Sequence, residues 1–237
     1  MNIQGAVALV TGAGRGIGKA VALTLGRHGA TLVLTARTTE ELEQVKREIE
    51  SAGGSATVVR ADLTKGEDIQ RIFAELTMKH GRLDILVNNA GIGKFAPVRE
   101  MPSSDFDAMW ALNVKAVFDC TKLALPLMEA QKQGAIINVA SLAGKNSFIG
   151  GAGYSATKWA LIGFARSLML EVREHNIRVI TICPGSVDTS FSSTSRDPKR
   201  SEKILHPQDV ADAIMAALMM PDRAMVSEID IRPTNPK

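Results

Sequence analysis

The chain has 237 residues, of which 45% are hydrophobic and 22% charged, with a formal net charge of +3 at pH 7. This composition is typical of a soluble globular protein, excludes a disordered or collagen-like chain, and allows one large domain. Dispersed basic residues and the absence of an apolar run of spanning length argue against nucleic-acid and membrane partners. Two cysteines without zinc-type spacing predict no disulfide framework and no metal site, and they fit a cytoplasmic protein.

Short β-branched or aliphatic runs alternate with helical patterns, for example over 16–28 and 40–52, as in chains built from βαβ units. Because such crossovers are right-handed, this order predicts an α/β chain with a single-domain Rossmann fold over 1–237. The expected architecture is a doubly wound parallel sheet of about seven strands with helices on both faces. The predicted strands cover 6–11, 31–35, 56–60, 85–88, 135–140 and 178–182, with a weaker seventh over 226–231.

Two predicted helices are unusually long and cover about 103–131 and 152–175. The apolar face of the second includes Leu161, Phe164, Leu168 and Met169, which can pack within the chain or against a second copy. We therefore expect a homo-oligomer, either a dimer or a tetramer. The alternative is that this face only packs in the core of its own chain. The segment from 186 to about 205 lacks periodicity, and its place beyond a strand end predicts a mobile substrate lid rather than a solvated linker.

The segment after the first strand is rich in glycine and opens a helical pattern. Glycine lets the backbone turn sharply and approach a pyrophosphate, whose charge the helix N-terminus stabilises. The spacing differs from the common G-x-G-x-x-G form and resembles the TGxxxGxG motif of the short-chain dehydrogenase/reductase family. We therefore expect cofactor contacts at Gly12, Gly14, Arg15, Gly16, Ile17 and Gly18.

The second strand ends in Arg37, where an NAD enzyme places an acid on the ribose 2′-hydroxyl. The Arg37 guanidinium can instead bind a 2′-phosphate in a bidentate manner, and Arg15 lies on the same side. The sequence thus predicts NADP(H) as the cofactor. The alternative is that both arginines are solvated surface residues.

The single tyrosine, Tyr154, stands four residues before Lys158 on one face of the second long helix. A cation about 4 Å from the hydroxyl predicts a pKa of Tyr154 lowered toward working pH, with burial opposing part of the shift. Ser141, at the predicted end of the fifth strand, could hold a carbonyl oxygen beside Tyr154. Asn113 lies within the first long helix.

Asn113, Ser141, Tyr154 and Lys158 in this order resemble the catalytic tetrad of short-chain dehydrogenases/reductases. The resemblance implies hydride transfer from a nicotinamide to a carbonyl, with Tyr154 as the proton donor. Lys158 would also bind the nicotinamide ribose, and Asn113 would hold a water. Further cofactor contacts are implied at Asp62, Leu63, Asn89, Ala90, Gly91, Pro184, Gly185, Val187 and Thr189, although Asp62 alone is equally a turn or capping residue.

The resemblance runs from Val7 to about Ala217 and is strongest to 3-oxoacyl-(acyl-carrier-protein) reductases, whereas the tail over 227–237 departs from them. Three interpretations stay open: a reductase of 3-oxoacyl thioesters, a reductase of other ketones, aldehydes, diketones or steroids, and a non-catalytic nucleotide-sensing or scaffolding protein. Cys183 is expected to be a small buried hydrophobic residue.

Overall fold

The structure is a computed structural model that describes residues 1–191 and 203–235. Within them, seven strands form one sheet: β1 Val7–Thr11, β2 Thr31–Ala36, β3 Ser55–Arg60, β4 Ile85–Asn88, β5 Gly134–Val139, β6 Ile177–Pro184 and β7 Glu228–Ile231. Their order in the sheet is β3-β2-β1-β4-β5-β6-β7, and every neighbouring pair is parallel. The predicted doubly wound Rossmann-like sheet is confirmed, including the weak seventh strand.

Helices cover both faces of the sheet. They are α1 Gly16–Arg27, α2 Thr39–Ser51, α3 Gly66–His80, α4 Ser103–Trp110, α5 Ala116–Gln131, α6 Ala152–Val172 and α7 Pro207–Leu218. Successive residues of a strand point to opposite faces. Ala8 and Val10 pack into the apolar cluster of α1, α2 and α7, whereas Leu9 packs into that of α3, α5 and α6. Both faces of β1 are therefore buried, as in a sheet between two helical layers.

The first long predicted helix is interrupted at Asn113, its candidate site residue. A π-helical turn, Ala111–Lys115, separates α4 from α5 and contains the buried Asn113. Such turns widen a helix by one residue and are common at functional sites. The second long helix continues from α6 into a short 3₁₀ turn, Arg173–His175. In α6, Leu161 and Leu168 are buried in the chain's own core, so the intrachain interpretation is right for these two residues.

The strand order reverses between β1 and β4, which places a crevice at the carboxyl edge of the sheet. The glycine-rich segment follows β1 there, and the segment around Asn89 follows β4. Ser141 was predicted to end the fifth strand, but β5 ends at Val139, and Ser141 instead caps the 3₁₀ helix Leu142–Gly144. Its hydroxyl accepts the N–H of Ala143, which is the reason the chain turns at this point.

The predicted lid falls partly on residues 192–202, which lie outside the described residues. Its flanks pair with each other: Val187 and Leu205 form an isolated parallel bridge, the Asp188 N–H donates to the Leu205 carbonyl at 2.7 Å, and the Leu205 N–H donates to Ser186 at 3.0 Å. Among the helices of the described ranges, none is both long and apolar enough to cross a membrane.

Candidate active site

The glycine-rich segment forms a tight turn that other residues would not fit. Gly12 and Gly16 have φ values of +64° and +55°, in the left-handed region that favours glycine. A Cβ on Gly18 would lie 2.2 Å from the Gly12 carbonyl oxygen. Helix α1 begins at Gly16 with Arg15 as its N-cap, and in the described part of the chain no side chain caps this end. Its first N–H groups are thus available to an anion.

The segment after β4 is fastened to this turn through Asn89 and Thr11. The Asn89 side-chain amide donates to the carbonyls of Thr11, at 2.9 Å, and Gly12, at 3.2 Å. In return, the Thr11 hydroxyl accepts the N–H groups of Asn89, at 2.9 Å, and Ala90, at 3.1 Å. Asn89 and Ala90 therefore lie beside the glycine turn, and their contacts with the cofactor stay a prediction. The part played by Thr11 was not foreseen, because a buried threonine at a strand end is unremarkable in sequence.

An acidic side chain lies beside the arginine of the glycine turn. The Arg15 guanidinium, 64% exposed, lies 3.9 Å from the carboxylate of Glu41 in the first turn of α2. A Cβ on Gly14 would be 2.8 Å from the same carboxylate. No acid stands at the end of β2, where Arg37 follows, but Glu41 brings a negative charge to the same region as Arg15 and Arg37. Glu41 was missed because only the packing of α2 brings it to the turn.

Asp62 and Leu63 follow β3 and have different surroundings. Asp62 accepts the N–H of Thr64 at 3.1 Å and its hydroxyl at 2.8 Å, which closes a turn. Burial acts to raise the pKa of Asp62, but these hydrogen bonds and the charges of Arg37 and Lys65 outweigh it and lower the pKa. The Leu63 side chain is buried in the apolar cluster of α3. The turn interpretation of Asp62 is thus seen directly, and its adenine contact stays a prediction.

Asn113 connects the segment after β4 with the start of α6. Its side-chain amide accepts from the Ile92 N–H and donates to the Ile92 carbonyl, both at 2.9 Å, and donates to the Thr157 hydroxyl at 3.1 Å. Thr157 in turn donates to the Tyr154 carbonyl at 2.8 Å. The π-helical turn therefore places Asn113 so that it positions both the segment after β4 and the start of α6.

Ser141, Tyr154 and Lys158 lie close together; the tyrosine and the lysine are buried, and Ser141 is half-buried. The Ser141 hydroxyl is near enough to the Tyr154 phenol to act to lower its pKa. The Lys158 ammonium donates to the Val139 carbonyl at 3.0 Å and lies 5.7 Å from the centroid of the Tyr154 ring. A Cβ on Gly91 would be 3.8 Å from the same ammonium. Lys158 thus reaches from the tyrosine to the segment that follows β4.

The predicted lowering of the Tyr154 pKa is wrong for this structure. Burial raises the pKa of Tyr154 to about 12, and the hydrogen bond from Ser141 offsets only part of that rise. Burial also lowers the pKa of Lys158 to about 8, because the charged ammonium is disfavoured away from water. The predicted lowering assumed a cation about 4 Å from the hydroxyl, with burial opposing only part of its effect, whereas burial dominates the pKa of Tyr154 in the structure. Tyr154 is therefore a neutral phenol at pH 7, in the protonated form that a proton donor needs.

The segment after β6 returns to the glycine turn. The Gly185 N–H donates to the Ile231 carbonyl at 2.8 Å, which fixes the exit from Pro184. A Cβ on Gly16 would lie 3.2 Å from the Thr189 methyl group, so Thr189 covers the start of α1. Val187 lies between Gly185 and Thr189 in the sequence. Cys183 is fully buried and burial raises the pKa of its thiol to about 11, which confirms its interpretation as a small hydrophobic residue.

Two phenylalanines pack against Tyr154 and a third packs against one of them, and none of the three was predicted from the sequence. The Tyr154 ring lies 5.4 Å from Phe95 and 5.9 Å from Phe191 between centroids, and Phe148 lies 5.9 Å from Phe95. We call Phe95, Phe148 and Phe191 the phenylalanine cluster. They come from three separate loops and have no shared spacing, so no sequence signal could have grouped them.

Comparison with known proteins identifies the class of protein. Residues 6–200 match the model of the short chain dehydrogenase family. The chain is 37% identical to an uncharacterized oxidoreductase of Staphylococcus aureus, with 96% of each chain covered. It is 32% identical to sepiapterin reductase of Chlorobaculum tepidum, over 97% of this chain and 96% of that one. The chain therefore belongs to the short-chain dehydrogenase family of oxidoreductases.

Solved structures agree with this membership. A metagenomic short-chain oxidoreductase in complex with NADP is 41% identical, with a TM-score of 0.87 and 99% of each chain covered. An alcohol dehydrogenase of the archaeon Thermococcus sibiricus, complexed with 5-hydroxy-NADP, is 30% identical over 98% of this chain and 97% of that one, with a TM-score of 0.91. A 7α-hydroxysteroid dehydrogenase with NADH and a 7-oxo bile acid is 31% identical over 99% and 96%, with a TM-score of 0.90.

Proposed function

We propose that this chain is an NADP(H)-dependent reductase that converts a carbonyl to an alcohol, with Tyr154 as the proton donor. The observation that carries the proposal is the group of Ser141, Tyr154 and Lys158 beside Gly91, in which the tyrosine and the lysine are buried. A neutral phenol close to a hydroxyl and to a cation suits proton transfer to an oxygen that gains negative charge.

The described residues fit a nicotinamide dinucleotide. The uncapped start of α1 and the glycine turn, in which Gly18 has no room for a side chain, suit a pyrophosphate. Asn89, Ala90 and Gly91 would line the adenosine side, with Asp62 and Leu63 at the adenine. Pro184, Gly185, Val187 and Thr189 would hold the nicotinamide amide, and Lys158 its ribose.

NADP(H) is favoured over NAD(H) by Arg15 and Arg37. Guanidinium groups bind phosphate in a bidentate manner, and a 2′-phosphate is what separates the two cofactors. Two structural relatives contain NADP or a derivative of it, whereas the hydroxysteroid dehydrogenase contains NADH. Glu41 competes for Arg15 in the structure, so we assign the main selectivity to Arg37.

The chemistry divides between the cofactor and the chain. When bound, the reduced nicotinamide supplies a hydride to the carbonyl carbon. The Ser141 hydroxyl hydrogen-bonds to the carbonyl oxygen, and Tyr154 transfers its proton to that oxygen as the alcohol forms. The Lys158 cation stabilises the phenolate that remains, and Asn113 keeps Tyr154 and the segment after β4 in place through Thr157 and Ile92. A water near Asn113 would return the proton to Tyr154.

The test is NADPH oxidation, followed by absorbance, with a panel of 3-oxoacyl thioesters, ketones, aldehydes and diketones. We expect Tyr154→Phe to lower kcat/KM at least ~100-fold, because a positioned proton donor contributes this much, while NADPH still binds. Wild-type turnover in Tyr154→Phe would overturn the mechanism. NADPH binding without turnover of any carbonyl would support the nucleotide-sensing or scaffolding alternative instead.

Self-association through α5 and α6 is part of the proposal. Phe118 and Phe164 pack at 6.2 Å beside Trp110, and Phe118 and Trp110 remain 46% and 43% exposed. Exposed aromatic residues on neighbouring helices are typical of a surface that a second copy covers. Sedimentation of the full chain should give a dimer or tetramer that Phe118→Lys dissociates, and a 25.4 kDa monomer at micromolar concentration would refute it. We further place the protein in the cytoplasm, which its two buried free cysteines fit.

A further inference from the structure

The phenylalanine cluster gives the reaction site a specific chemical surface. The chain contains seven phenylalanines and one tyrosine. Two of those seven rings pack against the only tyrosine and a third packs against Phe95, and each of the three is 44–47% exposed. A core residue would be buried, so packing within the chain does not account for this grouping. The free ring surface is available to a molecule that reaches Tyr154.

The rings are arranged for contacts between aromatic groups. Phe95 and Phe191 are inclined to the Tyr154 ring by 72° and 57°, at 5.4 and 5.9 Å between centroids. Aromatic pairs prefer such tilted arrangements at about 4.5–7 Å because a ring edge is positive and its face negative. A Cβ on Gly93 would lie 2.8 Å from both phenylalanines, so a glycine there lets the two rings approach each other.

Apolar side chains pack against Tyr154 beside these rings. Tyr154 packs in one cluster with Met109 and Ala143, against which Ile92 and Met101 also lie. Lys94 is the charged residue next to Phe95 in the chain, and its ammonium lies 3.9 Å from the Asp105 carboxylate. A cation that faces a carboxylate is a poor partner for an anionic substrate. The site therefore favours an uncharged group beside the reacting carbonyl.

We propose that the site takes uncharged carbonyl compounds that carry an aromatic ring, which packs against Phe95 and Phe191 while the carbonyl oxygen reaches Ser141 and Tyr154. The inference rests on the proposed reductase function. A saturated ring of the same size would bury as much apolar area but would lack the ring quadrupole, so the difference between the two isolates the aromatic contact.

Two ketones separate these effects. 4-Phenylbutan-2-one and 4-cyclohexylbutan-2-one have the same chain and a carbonyl that is not conjugated with the ring. In each, a hydride from NADPH adds to the carbonyl carbon and a proton from Tyr154 adds to the oxygen, which gives the alcohol and NADP⁺. We expect kcat/KM for the phenyl compound to exceed that for the cyclohexyl compound at least about fivefold, as two aromatic contacts would give.

Phe95→Leu and Phe191→Leu should each lower that ratio by about twofold to tenfold. Leucine keeps apolar bulk, so turnover of the cyclohexyl ketone measures whether the variant is folded and active. Phe106→Leu, on α4 and 38% exposed, is the matched control and should keep the wild-type ratio. Calorimetry measures binding without turnover. The alcohol with the phenyl ring should bind more tightly than the alcohol with the cyclohexyl ring to the Tyr154→Phe variant saturated with NADPH.

The possible outcomes test the aromatic preference separately from the proposed reductase function. Equal kcat/KM for the two ketones, or a preference that survives both leucine substitutions, would overturn the aromatic assignment and leave the reductase intact. A preference for acidic carbonyl compounds would overturn the uncharged class. Failure to oxidise NADPH with any carbonyl would overturn the proposed function itself.

Discussion

The Lys158 ammonium donates a hydrogen bond to the Val139 carbonyl at 3.0 Å, two residues before Ser141, whose hydroxyl acts to lower the pKa of Tyr154. The end of β5 therefore positions both partners of the tyrosine, the lysine through a backbone carbonyl and Ser141 through the chain itself. Because the ammonium is buried there, the same contact couples Lys158 to the stability of the fold.

Lys158 should make stability depend on pH. Its pKa is about 8 in the folded chain and 10.5 ordinarily, so between these values the unfolded chain binds more protons and stability rises with pH. Relative to Lys158→Met, we expect the free energy of unfolding to gain about 2 kcal/mol from pH ~7.5 to pH ~9.5. Denaturant unfolding at a series of pH values measures this. Parallel curves for the two proteins would show that Lys158 does not titrate in this range.

Cofactor selectivity should respond in opposite directions to two substitutions. Arg37→Asp should lower the preference for NADPH over NADH by about 10- to 150-fold, because charge-assisted hydrogen bonds contribute roughly 1.5–3 kcal/mol. Glu41→Gln frees Arg15 and should tighten NADPH binding by about twofold to fivefold, since an exposed ion pair contributes little. Fluorescence titrations with both cofactors measure the dissociation constants. NADH affinity should not change in Glu41→Gln, and a gain there would rule out a role for the 2′-phosphate.

Gly18→Ala should disrupt the glycine turn. The new Cβ would lie 2.2 Å from the Gly12 carbonyl oxygen and 2.5 Å from the Asn89 amide nitrogen, so either the turn or the segment after β4 must move. We expect a loss of about 1–3 kcal/mol of stability from overpacking and at least ~10-fold weaker NADPH binding. Gly66→Ala, where a Cβ meets nothing within 4 Å, is the matched control and should resemble wild type. Thermal unfolding and cofactor titration of the two variants decide the point.

Thr157→Val should weaken the link between Asn113 and Tyr154. Valine has the shape of threonine but leaves the Asn113 amide and the Tyr154 carbonyl without the hydroxyl between them, at a cost of about 1–3 kcal/mol. Thr157→Ser keeps the hydroxyl and should retain most of the stability. Chemical unfolding of both variants checks this order, and wild-type stability in Thr157→Val would mean that the two hydrogen bonds of this hydroxyl contribute nothing to the fold.

The sheet was predictable because each strand is a compact apolar run with its own turn or helix start, and the order of such runs leaves few topologies. The nucleotide turn was predictable for the same local reason. Asn113 was found by its family motif, but its π-helical turn was not, since five helical residues look alike in either geometry.

Contacts that depend on tertiary packing could not be predicted from the sequence. Glu41 meets Arg15 only after α2 docks, and the phenylalanine cluster joins residues from three loops. The direction of the Tyr154 pKa shift was wrong because it depends on how deeply two side chains are buried, which periodicity does not reveal.

The parallel bridge between Val187 and Leu205 has an evolutionary consequence. It holds Val187 and Leu205 about one strand spacing apart, which fixes where the connection between them leaves and rejoins the fold. Doubling the length of such a connection costs only about 0.6 kcal/mol in closure entropy. Changes in its length can therefore accumulate with little loss of stability, while the bridge and the sheet stay as they are.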